Sequence, residues 1–86
     1  MVGVKYDNGK SRTDLLPALG LLEVGHVLAV GAAVYGDNNW RAVVGAKRRY
    51  IAAALRHVFR YMSGEDIDPE TGRHHLAHAA CDVLFV

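Results

Sequence analysis

The segment that most constrains the fold is residues 15–36, LLPALGLLEVGHVLAVGAAVYG, because it is almost entirely apolar. Before the tyrosine near its end, its only ionisable side chains are Glu23 and His26, which lie three positions apart on one face of a helix. A carboxylate in apolar surroundings is costly unless it is protonated, paired or bound to a metal. We therefore expect the rest of the chain to supply a partner for Glu23.

The length and apolar content of the chain predict a single small domain that associates with itself. A chain of 86 residues is expected to bury only roughly 60–65% of the surface that its unfolded form exposes. Yet 51% of its residues are hydrophobic, which leaves apolar faces uncovered in a monomer. The expected assembly is a homodimer or a homotetramer.

Charge and cysteine content narrow the class of protein further. Ten basic and nine acidic residues give a net charge of +1, which argues against a nucleic-acid-binding protein. The single cysteine, Cys81, excludes an internal disulfide and fits a reducing, cytoplasmic location. The polar start of the chain does not resemble a secretory signal. Residues 15–36 are long enough to cross a membrane. However, Pro17, the glycines and the Glu23/His26 pair argue against a membrane-spanning helix and against a membrane as a partner.

The pattern of apolar residues and turn signals predicts an all-α chain of three helices within a single domain, residues 1–86. An N-terminal arm covers residues 1–13, and the helices are expected at 14–36, 46–62 and 71–86. Thr13 or Asp14 would cap the first helix, with Pro17 in its first turn.

Histidines and an aspartate mark the inner faces of the second and third helices. Tyr50, Ala54, His57 and Tyr61 recur at spacings of three and four, which places His57 on the inward stripe of the second helix. In the third helix, His75, His78 and Asp82 share one face. The four-residue spacing of His78 and Asp82 allows the two side chains to share a ligand.

Convergence of these groups would create a carboxylate and imidazole cluster inside a helical bundle, where metal sites are commonly built. The alternative is a purely structural hydrogen-bond network. Carboxylates favour Mg²⁺ or Mn²⁺, and imidazoles shift the preference towards Mn²⁺, Co²⁺ or Zn²⁺. Basic side chains along the chain could hold a polyphosphate. They are Lys5, Lys10, Arg12, Arg41, Lys47, Arg48, Arg49, Arg56 and Arg60.

Four sequence blocks together resemble the N-terminal domain of phage and bacterial dATP/dGTP diphosphohydrolases. They are KYDNGKSRTDLLP, YGDNNWR, RHVFRYMSGEDIDPETG and HLAHA. The resemblance runs over nearly the whole chain. It implies an all-α fold, a divalent cation, Mg²⁺ or Mn²⁺, and a purine deoxynucleoside triphosphate as the partner molecule, in the cytosol of a phage or bacterial host.

That family in turn resembles the MazG-like all-α nucleoside triphosphate pyrophosphohydrolases, whose ExxE and ExxD motifs bind Mg²⁺. Glu23 and His26 stand where the ExxE motif would be, and Ala79 and Asp82 stand where the ExxD motif would be. His26 and Ala79 therefore replace two of the four carboxylates.

The resemblance implies hydrolysis of dGTP or dATP to the monophosphate and pyrophosphate, and it implies roles for individual residues. The metal ligands would come from Glu23, His26, His78 and Asp82. Glu23, Glu65 and Asp66 are the catalytic candidates, the latter two by orienting water. The substrate-binding candidates are Lys5, Lys10, Arg12, Asn39, Trp40, Arg41, Arg56 and His57.

Two other functions remain open at this point. The missing carboxylates fit a non-catalytic helical module that binds nucleotide. The basic run KRR at residues 47–49, with Arg56 and Arg60 on the same helix, fits a nucleic-acid-binding face, against which the charge balance argues.

Overall fold

The computed structural model describes residues 2–86, and within that range the chain forms three α-helices and no β-strand. The helices are α1 (Ala18–Tyr35), α2 (Ala46–Met62) and α3 (His75–Leu84). Two short 3₁₀ turns, Thr13–Leu15 and Asn39–Ala42, precede α1 and α2 respectively. The predicted all-α class is confirmed.

The first helix begins later than the predicted residue 14 because of Pro17. The residue before a proline is driven out of the helical region, and Leu16 is extended, with a ψ of 137°. Thr13 and Asp14 therefore belong to the separate 3₁₀ turn, and α1 starts at Ala18. Gly36 ends the helix at a φ of +91°, with its N–H donating to the carbonyl of Ala32.

The third helix also begins later than predicted, at His75 rather than at residue 71. Residues 67–74 instead fold into a tight loop that is closed by an antiparallel bridge between Ile67 and His74. The Nδ1 atom of His74 then accepts a hydrogen bond from the N–H of Leu76 and caps α3. The second helix has the predicted bounds.

The core is small and centres on α3, which lies against both α1 and α2. Val27 of α1 packs with Ala77 and Cys81 of α3, and the Cys81 thiol donates to the carbonyl of Val24 at 3.4 Å. At the end of α3, the ring of Phe85 stacks on Trp40 with 4.9 Å between centroids. The small residues of α3 let both neighbouring helices approach closely.

The first helix is apolar and mostly exposed. Val27 is its only buried residue, and Leu19 and Leu22 are 80% and 61% exposed. By length and composition α1 is the one candidate for a membrane span among residues 2–86. The same properties belong to helices that cover one another in soluble assemblies.

Candidate active site

A wide cleft runs between α1 and α2 over the surface of α3. It encloses about 1300 Å³. Apolar residues of α1 form one wall, and the opposite wall carries a set of ionisable side chains from α2, the following loop and α3. Those side chains are Arg56, His57, Arg60, Glu65, Asp68, Glu70, His75, His78 and Asp82.

The loop between α2 and α3 holds Asp68 in a fixed orientation. The Asp68 Oδ1 atom accepts from the N–H of Glu70 at 2.9 Å, and the Asp68 N–H donates to the carbonyl of Arg73 at 2.9 Å. Its own carbonyl accepts from the N–H of Gly72, whose φ of +74° closes the turn. The Asp68 side chain is only 12% exposed. Local backbone hydrogen bonds therefore aim this carboxylate into the cleft.

Two histidines meet Asp68 there. Donor atoms of His57, Asp68 and His78 all lie within 4.8 Å of one another. The Nε2 atom of His78 is 3.5 Å from Asp68 Oδ2, and the His57 and His78 rings stack with centroids 4.5 Å apart and planes 8° apart. We call these three residues the histidine–aspartate trio. Within residues 2–86 no other group of three His, Cys, Asp or Glu side chains comes as close together.

A hydrogen-bond chain lies behind the trio. Glu65 Oε1 is 2.7 Å from His75 Nε2, and His75 Nδ1 is 2.8 Å from His57 Nδ1. If His75 donates to the carboxylate through Nε2–H, its neutral ring accepts at Nδ1, so His57 must donate from Nδ1. The His57 Nε2 atom then carries the lone pair. His75 is 3% exposed, so the middle of this chain is shielded from water, whereas the Glu65 side chain is 39% exposed.

Burial favours the neutral form of the two trio imidazoles by lowering the pKa of each. Burial is the main cause that lowers the pKa of His57, and the neighbouring His78 and His75 lower it further. Burial likewise lowers the pKa of His78, against the opposing pull of Asp68. The Thr71 hydroxyl lies 2.7 Å from His78 Nε2. Neutral imidazoles are the form that binds metals.

Asp82 stands apart as an unsatisfied carboxylate on the cleft wall. Its Oδ2 atom is buried without a hydrogen-bond partner among residues 2–86. Burial raises the pKa of Asp82 to about 6, with Arg56 acting in the opposite direction. A buried oxygen without a donor is available to accept a hydrogen bond from a ligand or to bind a cation.

The predicted ligands on α1 do not join this wall. Glu23 is not buried in the single chain: its side chain is 47% exposed, and its Oε2 atom lies 3.9 Å from Arg73 Nη1. His26 is exposed. The structure therefore does not gather Glu23, His26, His78 and Asp82 into one group, and of these four only His78 and Asp82 line the cleft.

The other predicted residues divide between the cleft and the surface. Asn39, Trp40, Arg56, His57 and Glu65 line the cleft, whereas the side chain of Asp66 is exposed and its carbonyl accepts from the N–H of His75. Outside the cleft, Arg12 forms an ion pair with Asp14, and the guanidinium of Arg41 lies 5.1 Å from the Trp40 ring. Lys5 and Lys10 are exposed on the arm.

Sequence reasoning missed the role of Asp68 and the contacts of His75 and Thr71. An Asp-Pro pair is also a common helix start, so the sequence alone does not separate this role of Asp68 from a helix cap. The signal for its actual position was the surrounding block GEDIDPETG, in which Pro69 and Gly72 fix a turn. Thr71 is the hydroxyl that the same turn brings to His78.

The donor set on the cleft wall fits a divalent cation. Two imidazoles and a buried carboxylate converge within bonding reach of one ion. Asp82 adds an orphaned oxygen on the same wall. The Arg56 and Arg60 side chains beside them add positive charge suited to phosphate groups.

An all-helical chain with a histidine–aspartate cluster and two arginines in one cleft has groups suited to binding phosphate compounds. The chain belongs to the family described as dATP/dGTP diphosphohydrolase, N-terminal, whose match covers residues 2–86. The family resemblance seen in the sequence is thereby confirmed.

A relative in Salmonella phage PMBT28, named dATP/dGTP diphosphohydrolase, is 41% identical to the chain over 87 residues. The alignment covers 100% of the chain and 29% of the phage protein, so the chain spans less than a third of that relative. No solved structure matches the chain.

Proposed function

We propose that the chain hydrolyses purine deoxynucleoside triphosphates, dGTP or dATP, to the monophosphate and pyrophosphate in a reaction that depends on Mg²⁺ or Mn²⁺. The observation that carries this proposal is the family match over residues 2–86, which includes every residue of the polar cleft wall. The name of the phage relative supports the substrate class. The wall supports the cation requirement through its donor atoms.

The cation would be held by Asp68 and His78, with Asp82 as a further carboxylate on the same wall of the cleft. When bound, such an ion lowers the pKa of a water molecule and offsets negative charge on the triphosphate. Burial of the wall strengthens these electrostatic effects, since water screens charges less inside a cleft. Neither Glu23 nor His26 is needed for this role within a single chain.

In the proposed reaction a water oxygen bonds to the α-phosphorus, and the bond from that phosphorus to the α–β bridging oxygen breaks. Glu65 is the carboxylate that orients the water, whose proton is released to solvent. Its Oε1 atom is fixed by His75, which leaves Oε2 to accept the hydrogen bond. Pyrophosphate leaves with the bonding electrons.

Arginine side chains on the cleft wall would bind the phosphates of the substrate. Arg56 and Arg60 lie on α2 beside the cleft, and each offers planar donors for phosphate oxygens. Lys5 and Lys10 on the exposed arm would add charge when the arm folds over the ligand. Arg12 is committed to Asp14 at 2.8 Å and would have to exchange partners to contribute.

The base would stack near Trp40 at the far end of the cleft. Trp40 already stacks on Phe85, which fixes the plane of its ring. Asn39 lies beside it on the cleft wall and carries both a donor and an acceptor. A rigid aromatic plane with an adjacent amide suits a large purine ring more than a pyrimidine.

A second copy of the chain is the proposed cover for α1. The structure exposes 6922 Å², whereas a compact monomer of 9.4 kDa would expose about 5000 Å². The extended arm accounts for part of this excess, and the bare helix α1 for another part. A standard interface buries about 800 Å² per partner. We propose a homodimer or homotetramer in the cytosol, with no membrane or nucleic-acid partner.

Turnover assays test the proposed activity. The protein is incubated with dGTP, dATP, dCTP or dTTP and with Mg²⁺ or Mn²⁺, and the products are separated by ion-exchange chromatography. The proposal predicts equal amounts of purine monophosphate and pyrophosphate, and no product in EDTA. Nucleotide binding by calorimetry without any product would instead identify a non-catalytic nucleotide-binding module.

A further inference from the structure

We infer that the histidine–aspartate trio, His57, Asp68 and His78, is a binding centre for a divalent transition metal, with Mn²⁺, Fe²⁺, Co²⁺ or Zn²⁺ favoured over Mg²⁺. Its catalytic role rests on the proposed function, but the binding itself does not. Of the ligands expected from the sequence, only His78 belongs to this centre.

The spacing of the donor atoms suits one metal ion. Ligand atoms about 2.0–2.2 Å from a tetrahedral metal ion lie about 3.5 Å from one another. His78 Nε2 and Asp68 Oδ2 are 3.5 Å apart, and the donor atom of His57 completes a group within 4.8 Å. The residues come from α2, the loop and α3, so an ion would tie together the three parts of the chain that form this wall.

Asp68 is a buried acidic group without a lysine or arginine beside it among residues 2–86. Its side chain is 12% exposed, and that of His78 is 13% exposed. In the described part of the chain, no lysine or arginine lies within ion-pair distance of the Asp68 carboxylate. A buried carboxylate is costly unless a positive charge faces it. A metal ion between Asp68 and the two imidazoles would supply that charge.

The hydrogen-bond chain behind the trio orients one of its ligands. Metal-binding histidines commonly donate their second ring N–H to a partner that fixes the tautomer. Here Glu65 holds His75 at 2.7 Å, and His75 holds His57 Nδ1 at 2.8 Å. The lone pair of His57 is left on Nε2. Glu65 and His75 are thus positioning residues for this centre.

Thr71 shows that the His78 nitrogen is accessible to a polar ligand. Its hydroxyl lies 2.7 Å from His78 Nε2, and the same oxygen accepts from the N–H of Arg73 at 3.3 Å. On metal binding the Thr71 hydroxyl would lose its hydrogen bond to His78 and keep the one from the N–H of Arg73. The loop itself would not need to refold.

The composition of the donor set decides the class of metal. Mg²⁺ prefers oxygen ligands in octahedral geometry and holds on to its water. Two imidazoles with one carboxylate, and the remaining positions open, are typical of first-row transition metals. The open positions would be available to water and to phosphate oxygens.

The test is a Co²⁺ titration of the EDTA-treated protein, followed by visible absorption, because imidazole ligands give Co²⁺ characteristic visible bands. The variants are Asp68→Asn, which keeps an oxygen for the N–H of Glu70 but loses the charge, and His57→Ala. His26→Ala is the matched control, since it removes an exposed imidazole from α1. Far-UV circular dichroism checks that each variant is helical.

We expect one Co²⁺ per chain, retained in a roughly hundredfold excess of Mg²⁺. Asp68→Asn and His57→Ala should each weaken binding by at least about tenfold, and His26→Ala should leave it unchanged. Equal Co²⁺ affinity in the wild type and in a helical Asp68→Asn variant, or displacement by equimolar Mg²⁺, would overturn the inference. Metal binding without dGTP turnover would contradict the proposed function alone, and turnover with Mg²⁺ without Co²⁺ bands would contradict the inference alone.

Discussion

The first helix and the α2–loop–α3 unit use their residues in opposite ways. Of the 18 residues of α1 only Val27 is buried, whereas the ten residues of α3 include four buried ones. Within α2–loop–α3, the polar side chains other than Asp82 also contact one another, through Glu65, His75, His57, Asp68 and His78. The α2–loop–α3 unit thus holds the residues of the candidate site within one chain, whereas most of the apolar surface of α1 is exposed.

The difference teaches which function belongs to which part of the chain. A helix that is apolar on all sides needs other helices around it, and α3 covers only the side of α1 that carries Val24 and Val27. The polar unit needs no such cover for its hydrogen bonds. We therefore propose that α1 mediates association and that α2–loop–α3 binds the cation.

The largest expected effect comes from charges on the exposed face of α1. Leu19→Glu with Leu22→Glu removes two side chains that each contribute about 1.5–3 kcal/mol when buried in an interface. The dissociation constant of the assembly should rise at least about 100-fold. Light scattering after gel filtration should show the mass fall to that of a 9.4 kDa monomer.

Val44→Glu is the matched control for the two leucine substitutions. Val44 is at least as exposed as Leu19 and Leu22 but lies outside α1, in the connection to α2. Its assembly should have the wild-type mass. Dissociation by Val44→Glu alone, or an unchanged mass for the double variant, would show that α1 is not the interface.

The next largest effect is on turnover, and it compares an imidazole of α3, His78, with one of α1, His26. His78→Ala should lower kcat/KM for dGTP by about 100-fold, since it removes a cation ligand. His26→Ala should change it by less than about twofold. Steady-state assays of pyrophosphate release compare the two variants. If His26→Ala were the more damaging change, the active cation site would include α1, supplied by the same or a neighbouring chain.

Asp82→Asn tests the carboxylate that lies on the wall without a partner. Its pKa is raised from 3.8 to about 6 by burial, so the folded state favours the protonated carboxyl. The associated stability is fully present below about pH 4 and is lost as the pH rises through 6. Asn stays neutral, so at pH 8 in EDTA the variant should be more stable than the wild type by about 1–2 kcal/mol.

Urea unfolding of both proteins at pH 4, 6 and 8 measures this difference. The free energy of unfolding of the variant is subtracted from that of the wild type at each pH. This removes the contributions of His57 and His78, whose lowered pKa values make stability change with pH in the opposite direction. Arg56, the charged neighbour that lowers the pKa of Asp82, is unchanged in both proteins. A variant that is less stable at pH 8 would mean that the Asp82 carboxylate has a partner in solution.

The smallest expected effect is that of Glu65→Gln. The amide can still bond His75 but no longer carries the charge that favours one tautomer, so turnover should fall about tenfold. Glu70→Gln is the control, because Glu70 lies on the same loop with an exposed side chain. Nitrogen chemical shifts of the His57 ring should change in Glu65→Gln and not in Glu70→Gln. Unchanged His57 shifts in Glu65→Gln would rule out the positioning role.

Much of this molecule is readable from its sequence. Helical periodicity predicted three helices and the inward position of His57, and the spacing of His78 and Asp82 placed both on one face of α3. The predicted cap at Thr13 or Asp14 did not take into account that Pro17 sterically excludes the preceding residue from a helix. For this reason α1 starts at Ala18. These features are local, so a linear pattern is enough to find them.

The remaining parts depend on tertiary contacts that no linear pattern encodes. Because α1 is apolar on all sides, its sequence does not specify which side faces the core, and Glu23 points to Arg73 instead of into the cleft. Asp68 and His78 are ten positions apart in the sequence, and they meet only because the loop between them turns back tightly. The predicted role of Glu23 in catalysis stays a prediction for the assembled protein.

The most direct test of the separation between the two regions is cobalt binding by the dissociated protein. The Leu19→Glu, Leu22→Glu variant is titrated with Co²⁺ at concentrations where it is monomeric, and its visible bands and affinity are compared with those of the wild type. We predict the same bands and an affinity within about twofold, since the trio lies within one chain. Loss of Co²⁺ binding in step with dissociation would contradict the account, because the centre would then be formed only between chains.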